Sequence, residues 1–134
     1  MREILFRGKS TDNGEWVEGT YFPPANTLIS YKLELIDGVV TFMDFCVIPE
    51  TVGQFTGLTD KNGTKIFDGD ILEFSDRLVT VFWHKNIGCW DCDFLKFTNK
   101  ENGKEDMSPY CWKYSAKVIG NIYDNPELLD KVNE

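Results

Sequence analysis

Five turn dipeptides punctuate this chain: Asn13-Gly14, Asp37-Gly38, Asn62-Gly63, Asp68-Gly69 and Asn102-Gly103. Glycine reaches positive φ without steric cost, Asn and Asp more readily than other side chains, and tight hairpin turns demand that region. Runs rich in Val, Ile, Phe, Trp, Tyr and Thr lie between the turns. Val39-Val40-Thr41-Phe42-Met43 follows one turn directly, and Leu78-Val79-Thr80-Val81-Phe82-Trp83 reads as another strand. The clearest alternation sets Tyr110, Trp112, Tyr114, Ala116 and Val118 against Cys111, Lys113, Ser115 and Lys117. A period of two predicts a half-buried antiparallel strand there. Helical periodicity is nearly absent, so the residues predict an all-β protein built from antiparallel hairpins.

The carboxyl terminus is the exception. Asn125 suits an N-cap, Pro126 has the preset φ of a first helical position, and Glu127 sits at the positive end of the helix dipole. A short helix over about 126–132 is expected, pinned down by Leu128 and Leu129. Pro23-Pro24 separates the first β-rich segment from the next. Ser108-Pro109 ends a polar stretch, Thr98 to Asp106, that reads as a mobile hairpin tip rather than a domain linker.

At 134 residues, a folded chain buries roughly two-thirds of the surface that its unfolded form exposes, so stability requires neither disulfide nor metal. With 42% apolar and 14% aromatic residues, a disordered, collagen-like or disulfide-knotted chain is excluded. The net charge is −8 and is spread evenly, with four bases and eight acids in residues 1–59 and ten and fourteen in the remainder. Nucleic-acid binders carry a basic face that neutralises phosphate, so direct DNA or RNA binding is disfavoured. Only three apolar residues, Ile4-Leu5-Phe6, precede Arg7, too few for a secretory signal, and no run approaches a membrane span. The expectation is a cytoplasmic protein whose Cys46, Cys89, Cys92 and Cys111 are reduced thiols.

Cys89-Trp90-Asp91-Cys92 has the CxxC spacing of a zinc knuckle, with Cys46, Cys111 or His84 as further ligands. A second knuckle is missing, so small buried hydrophobes are the plainer reading, and neither metal nor cofactor is expected. A redox role would need a helix amino terminus beside the pair to lower a thiol pKa, and none is predicted. His84, the only histidine, continues the face of Leu78, Thr80 and Phe82, and lacks the nucleophile and orienting acid of a general base. Asp60-Lys61-Asn62-Gly63 is too short for a calcium loop and reads as a hairpin turn. The aromatic run Trp83 to Trp90 is the best candidate for a partner surface.

Ile48-Pro49-Glu50-Thr51-Val52-Gly53-Gln54-Phe55-Thr56-Gly57-Leu58-Thr59-Asp60-Lys61-Asn62-Gly63, continued by Ile66-Phe67-Asp68-Gly69-Asp70-Ile71, resembles the YopX family. So do Met1-Arg2-Glu3-Ile4, Phe6-Arg7-Gly8-Lys9 and Gly14-Glu15-Trp16-Val17 near the start. Val118-Ile119-Gly120-Asn121-Ile122-Tyr123 and Asn125-Pro126-Glu127-Leu128-Leu129 complete the resemblance at the end. Little is recognisable over 22–46 and 84–112, and the cysteines fall outside the recognisable blocks. The resemblance implies a phage or prophage protein with an SH3-like β-barrel architecture and a short C-terminal helix. It brings no catalytic residue with it. One domain over 1–134 is expected, divisible into an N-terminal β lobe 1–56 and a C-terminal barrel lobe 57–134 that share a core.

Within the central block, Gly57, Asp60, Asn62, Gly63, Gly69 and Asp70 are the candidate turn-forming residues. Asp70 is expected to accept backbone amides of its turn, and Gly57 and Gly69 to adopt conformations closed to other residues. The function expected is a non-catalytic protein-interaction module with a host or phage protein, or a second copy, as partner. The alternatives are a nucleic-acid-associated barrel protein and a host-factor inhibitor acting through its acidic surface.

Overall fold

The computed structural model of the chain describes residues 4–74, 76–97 and 109–129. Its strands are β1 (Phe6–Lys9), β2 (Trp16–Phe22), β3 (Thr27–Ile36), β4 (Val39–Cys46), β5 (Gly53–Thr59), β6 (Lys65–Phe67), β7 (Asp70–Phe74), β8 (Arg77–His84), β9 (Cys89–Phe97) and β10 (Ala116–Asn121). One α-helix, α1 (Pro109–Ser115), precedes β10. The chain divides into two compact units, Met1–Phe55 and Thr56–Glu134.

In the first unit, β4, β3, β2, β1 and the start of β5 are hydrogen-bonded in that order, each pair antiparallel. Asp37 and Gly38 join β3 to β4 with φ of 51° and 78°, and Ile36 faces Val39 across them. Two consecutive positive φ values match the right-handed twist of the strands they connect, which is why Asp-Gly closes a two-residue hairpin here. Gly14, at φ 71°, closes the turn between β1 and β2 by donating to the Ser10 carbonyl. Pro23 and Pro24 end β2 in a 3-10 turn, as their missing amides require. Asn102-Gly103 and the polar stretch Thr98 to Asp106 lie outside the described residues.

The second unit holds the end of β5, β6 and a separate antiparallel sheet in the order β10-β7-β8-β9. Ile66, Leu72, Phe74, Val79, Val81, Trp90, Trp112 and Ala116 form one buried cluster under this sheet. The SH3-like β-barrel expected from the family resemblance is absent among the described residues, whose strands form two open antiparallel sheets. A barrel needs the two end strands of a sheet to pair with each other. Here the outer edge of β10 is taken instead by the turn after β5, where Lys61 N–H donates to the Ala116 carbonyl.

Residues 109–115 correct a second expectation. The alternation from Tyr110 to Val118 predicts one strand, yet 109–115 are helical and only Ala116–Asn121 is extended. Trp112 and Ala116 are both fully buried, four residues apart, while Tyr114 is 70% exposed. Trp112 and Tyr114 thus lack the shared face that two-residue alternation predicts, and Ala116 is buried as the first residue of β10. Pro109 begins the helix, where the lack of an amide costs nothing.

The terminal helix is wound and capped differently than expected over its described residues. Pro126–Leu129 form a 3-10 turn, closed by Leu128 N–H on the Asn125 carbonyl at 3.0 Å. The Asn125 side-chain oxygen points backwards and accepts the Asn121 amide at 3.2 Å. Residues 130–132 lie outside the described residues.

Candidate functional site

Asp60 is 2% exposed, and its carboxylate is spent on backbone. Oδ1 accepts the amides of Asn62 at 2.8 Å and Thr64 at 2.9 Å, while Oδ2 accepts Val118 N–H at 2.9 Å across 58 residues of chain. Short side chains that bond amides two to four residues on are what build Asx turns, and Asn62 and Gly63 (φ 81°) complete this one. The same side chain thus shapes the turn and caps β10.

Asp70 plays the equivalent part in the next turn. It is 1% exposed and accepts Phe67 N–H on Oδ2 at 2.7 Å. Gly69, at φ 87°, donates to the Val81 carbonyl and accepts from Ile122 N–H, both at 2.9 Å. A Cβ on Gly69 would stand 3.3 Å from the Tyr123 ring. Gly57, at φ 85°, bends β5 so that the Thr56 hydroxyl reaches the Ile66 carbonyl at 2.8 Å. Of these turn residues, Gly69 lines the cavity described below.

Trp83 and Trp90 face each other across β8 and β9, ring to ring at 5.2 Å in an edge-on arrangement. Their surroundings differ. Trp90 is 8% exposed and belongs to the core cluster, whereas Trp83 is 42% exposed. The expected aromatic surface therefore keeps Trp83 and loses Trp90. The buried Trp90 indole nitrogen has no hydrogen-bond partner among the described residues.

Cys89 and Cys92 lie three apart on one strand, so they point to opposite sides of the sheet. Cys92 packs against the core cluster and Cys89 is exposed. This separates two thiols that a zinc knuckle would need on one side. Cys46 is exposed as well, contrary to the reading of these cysteines as buried hydrophobes; the Cys111 side chain lies outside the described residues. His84 is half-buried, 5.8 Å from the Phe82 ring and paired in register with Cys89. Among the described residues no three His, Cys, Asp or Glu side chains gather closely enough to hold a metal ion.

What the sequence reading missed is a groove of about 530 Å³ in the second unit. Thr80, Val81 and Phe82 of β8 and Asp93, Phe94 and Leu95 of β9 line it, together with Asp68, Gly69, Ile122 and Leu129. Thr80 is paired with Asp93 and Phe82 with Asp91, so these side chains share one face of the sheet. The alternation of Thr80 and Phe82 with core valines is the signal that would have exposed this second face. Only folding brings Leu129 to it. Among the described residues the groove's titratable side chains are Asp68 and Asp93, and its walls are otherwise apolar or hydroxylic.

The groove borders β9, whose strand neighbour among the described residues is β8. Asp91 Oδ1 accepts the Cys92 amide at 2.8 Å, covering one polar group of the strand. Among the described residues no helix is long and apolar enough to cross a membrane.

Residues 5–130 match the family described as YopX protein. No curated protein matches the sequence. Among solved structures, the chain is similar to the crystal structure of protein EF1440 from Enterococcus faecalis, with a TM-score of 0.57 and 24% identity over 97% of this chain and 100% of that one. That likeness concerns the fold. The family match spans nearly the whole sequence, and the chain belongs to the YopX family.

Proposed function

We propose that this YopX-family chain is a non-catalytic interaction module, and that it holds a protein partner in the groove beside β9. The observation that carries the reading is the groove itself: an open cavity of about 530 Å³ with Phe82, Leu95, Ile122 and Leu129 in its lining. Apolar side chains left in contact with water favour whatever covers them, and concave apolar sites with few polar groups are the usual form of a binding site. Acid–base or nucleophilic chemistry would need a titratable pair or an activated nucleophile in reach of a substrate. Among the described residues the groove offers two aspartates, without histidine, cysteine or lysine. The setting implied by the family resemblance is a phage or prophage accessory acting in the cytoplasm of a bacterial host.

The reading is tested by placing a photo-crosslinking amino acid at Phe82 or Leu95, and at Asp37 in the first unit as the control, in bacterial cells making the protein. One discrete protein adduct from the groove positions and none from Asp37 is the expected result. Identical adduct patterns at all three positions, or no adduct from the groove, would sink it.

A further inference from the structure

We infer that the partner is recognised through an arginine side chain flanked by apolar residues, its guanidinium laid on the Phe82 ring and paired with the Asp93 carboxylate. This rests on the groove being a docking site, and it specifies the chemistry of the occupant. The recognition uses side chains on one face of the sheet and asks nothing of the β9 backbone.

Register brings the ring and the carboxylate together. Thr80 is paired with Asp93 and Phe82 with Asp91, so Asp93 lies diagonally across from Phe82 on the same face. Diagonal neighbours in an antiparallel pair are within reach of aromatic and long side chains. Phe82 is half-buried, with the His84 ring on one side of it at 5.8 Å. Asp93 is exposed, and its carboxylate is committed to no other group among the described residues. Asp91 adds negative charge along the same face, although its Oδ1 already accepts the Cys92 amide. Asp68 lines the groove as well but has an interaction of its own.

The charge calls for a cation, and the ring decides which one. Among the described residues the groove holds no basic side chain to balance Asp93. A guanidinium is planar and weakly hydrated, stacks on aromatic faces, and bonds a carboxylate through two parallel N–H groups. An ammonium is a compact, strongly hydrated point charge. Arginine therefore satisfies ring and carboxylate together, where lysine gains the carboxylate alone. Leu95, Ile122 and Leu129 supply apolar wall for its stem. At about 530 Å³ the groove has the size of a small-ligand site, so the arginine enters with its apolar neighbours.

The experiment uses the full purified chain, isotope-labelled, and a capped heptapeptide of sequence serine–glycine–valine–arginine–valine–glycine–serine. Two further peptides carry lysine or citrulline, the uncharged isostere of arginine, at the centre. NMR titration reads both the affinity and the residues that respond. The arginine peptide is expected to shift Phe82, Asp93 and Leu95, and the Phe82 ring current should move the arginine side-chain protons upfield. Lysine should weaken binding by about threefold or more, through loss of stacking. Asp93→Asn should weaken it by about tenfold, as the loss of a close charge pair does. Phe82→Leu should abolish the upfield shift and the preference for arginine over lysine. Asp37→Asn, an equal loss of charge on the first unit, should leave binding nearly unchanged.

Equal affinity for the citrulline peptide would overturn charge recognition, and equal affinity for the lysine peptide would overturn arginine. Equal weakening by Asp37→Asn and Asp93→Asn would reduce the effect to net charge and overturn the inference. Self-association of the free chain that the arginine peptide breaks would put a second copy in the groove and overturn a separate partner. No binding at millimolar peptide alongside a discrete crosslink at Leu95 would keep the groove as the docking site and discard the arginine. Arginine binding without any crosslink at Leu95 would do the reverse, striking the protein partner and upholding the chemistry of the groove.

Discussion

The sheet of the second unit has two end strands, and they are finished in opposite ways. On β10 the outer edge is closed: Val118 N–H meets Asp60 Oδ2, and the Ala116 carbonyl meets Lys61 N–H. On β9 one amide is covered by the adjacent Asp91, and no strand lies beyond it among the described residues. A buried carboxylate that accepts three amides is a costly arrangement unless all its bonds are made, so it commits the chain to one geometry. A half-buried carboxylate that bonds the amide beside it commits the chain to less. The contrast is between a side chain that ties a turn to a distant strand and one that acts on its own neighbour.

The comparison breaks first at Asp60. Asp60→Ala leaves three amides without their acceptor, and about 3 kcal/mol of stability should be lost, allowing for partial rescue by water. Urea unfolding measures it, and a loss below about 1 kcal/mol would mean the β10 edge is held by something else. The exchange rate of the Val118 amide should rise in the same variant by more than that of any β9 amide.

A smaller effect is expected at the far end of β10. A Cβ on Gly120 would collide with the Asn125 side chain, displacing the oxygen that accepts the Asn121 amide. Gly120→Ala should cost about 2 kcal/mol in thermal or urea unfolding, as an overpacked site with a broken turn does. An unchanged midpoint would show that Asn125 moves aside freely.

Gly69→Ala comes next. Its φ of 87° disfavours any side chain, and the Tyr123 ring stands close to the new methyl. A loss of at least about 1 kcal/mol is expected. Gly63→Ala shares the positive φ but meets open space, so the difference between the two variants isolates the contact with Tyr123.

On the β9 side the effects on stability should be least. Asp93→Ala alters an exposed side chain and should change stability by no more than about 0.5 kcal/mol. A larger loss would place Asp93 among the fold-forming residues and erase the contrast between the two edges.

Local conformational demands were the most legible part of the sequence. Asp37-Gly38 turns where the dipeptide says it must, and Gly57, Gly63 and Gly69 all adopt positive φ. Asp70 holds its turn from the residues beside it. The strands Val39–Cys46 and Arg77–His84 follow their β-branched and aromatic runs. Misreading came where two periods compete. Tyr110, Trp112 and Tyr114 alternate like a strand, but Trp112 is buried in the core cluster while Tyr114 is exposed, and 109–115 are helical. The groove was illegible for a different reason: Leu129 and Phe82 are 47 positions apart, and no local pattern links them.

The sequence by itself determined where the chain turns and which runs extend, because φ preferences and side-chain branching act within a few residues. It also carried the family resemblance, through ordered blocks that include the turns from Thr59 to Asp70. Only the tertiary structure decided that Asp60 caps a strand 58 residues away and that Trp90 is core while Trp83 is surface. Those outcomes depend on which buried groups find partners once the sheet assembles, and a buried polar group is satisfied by its neighbours in space.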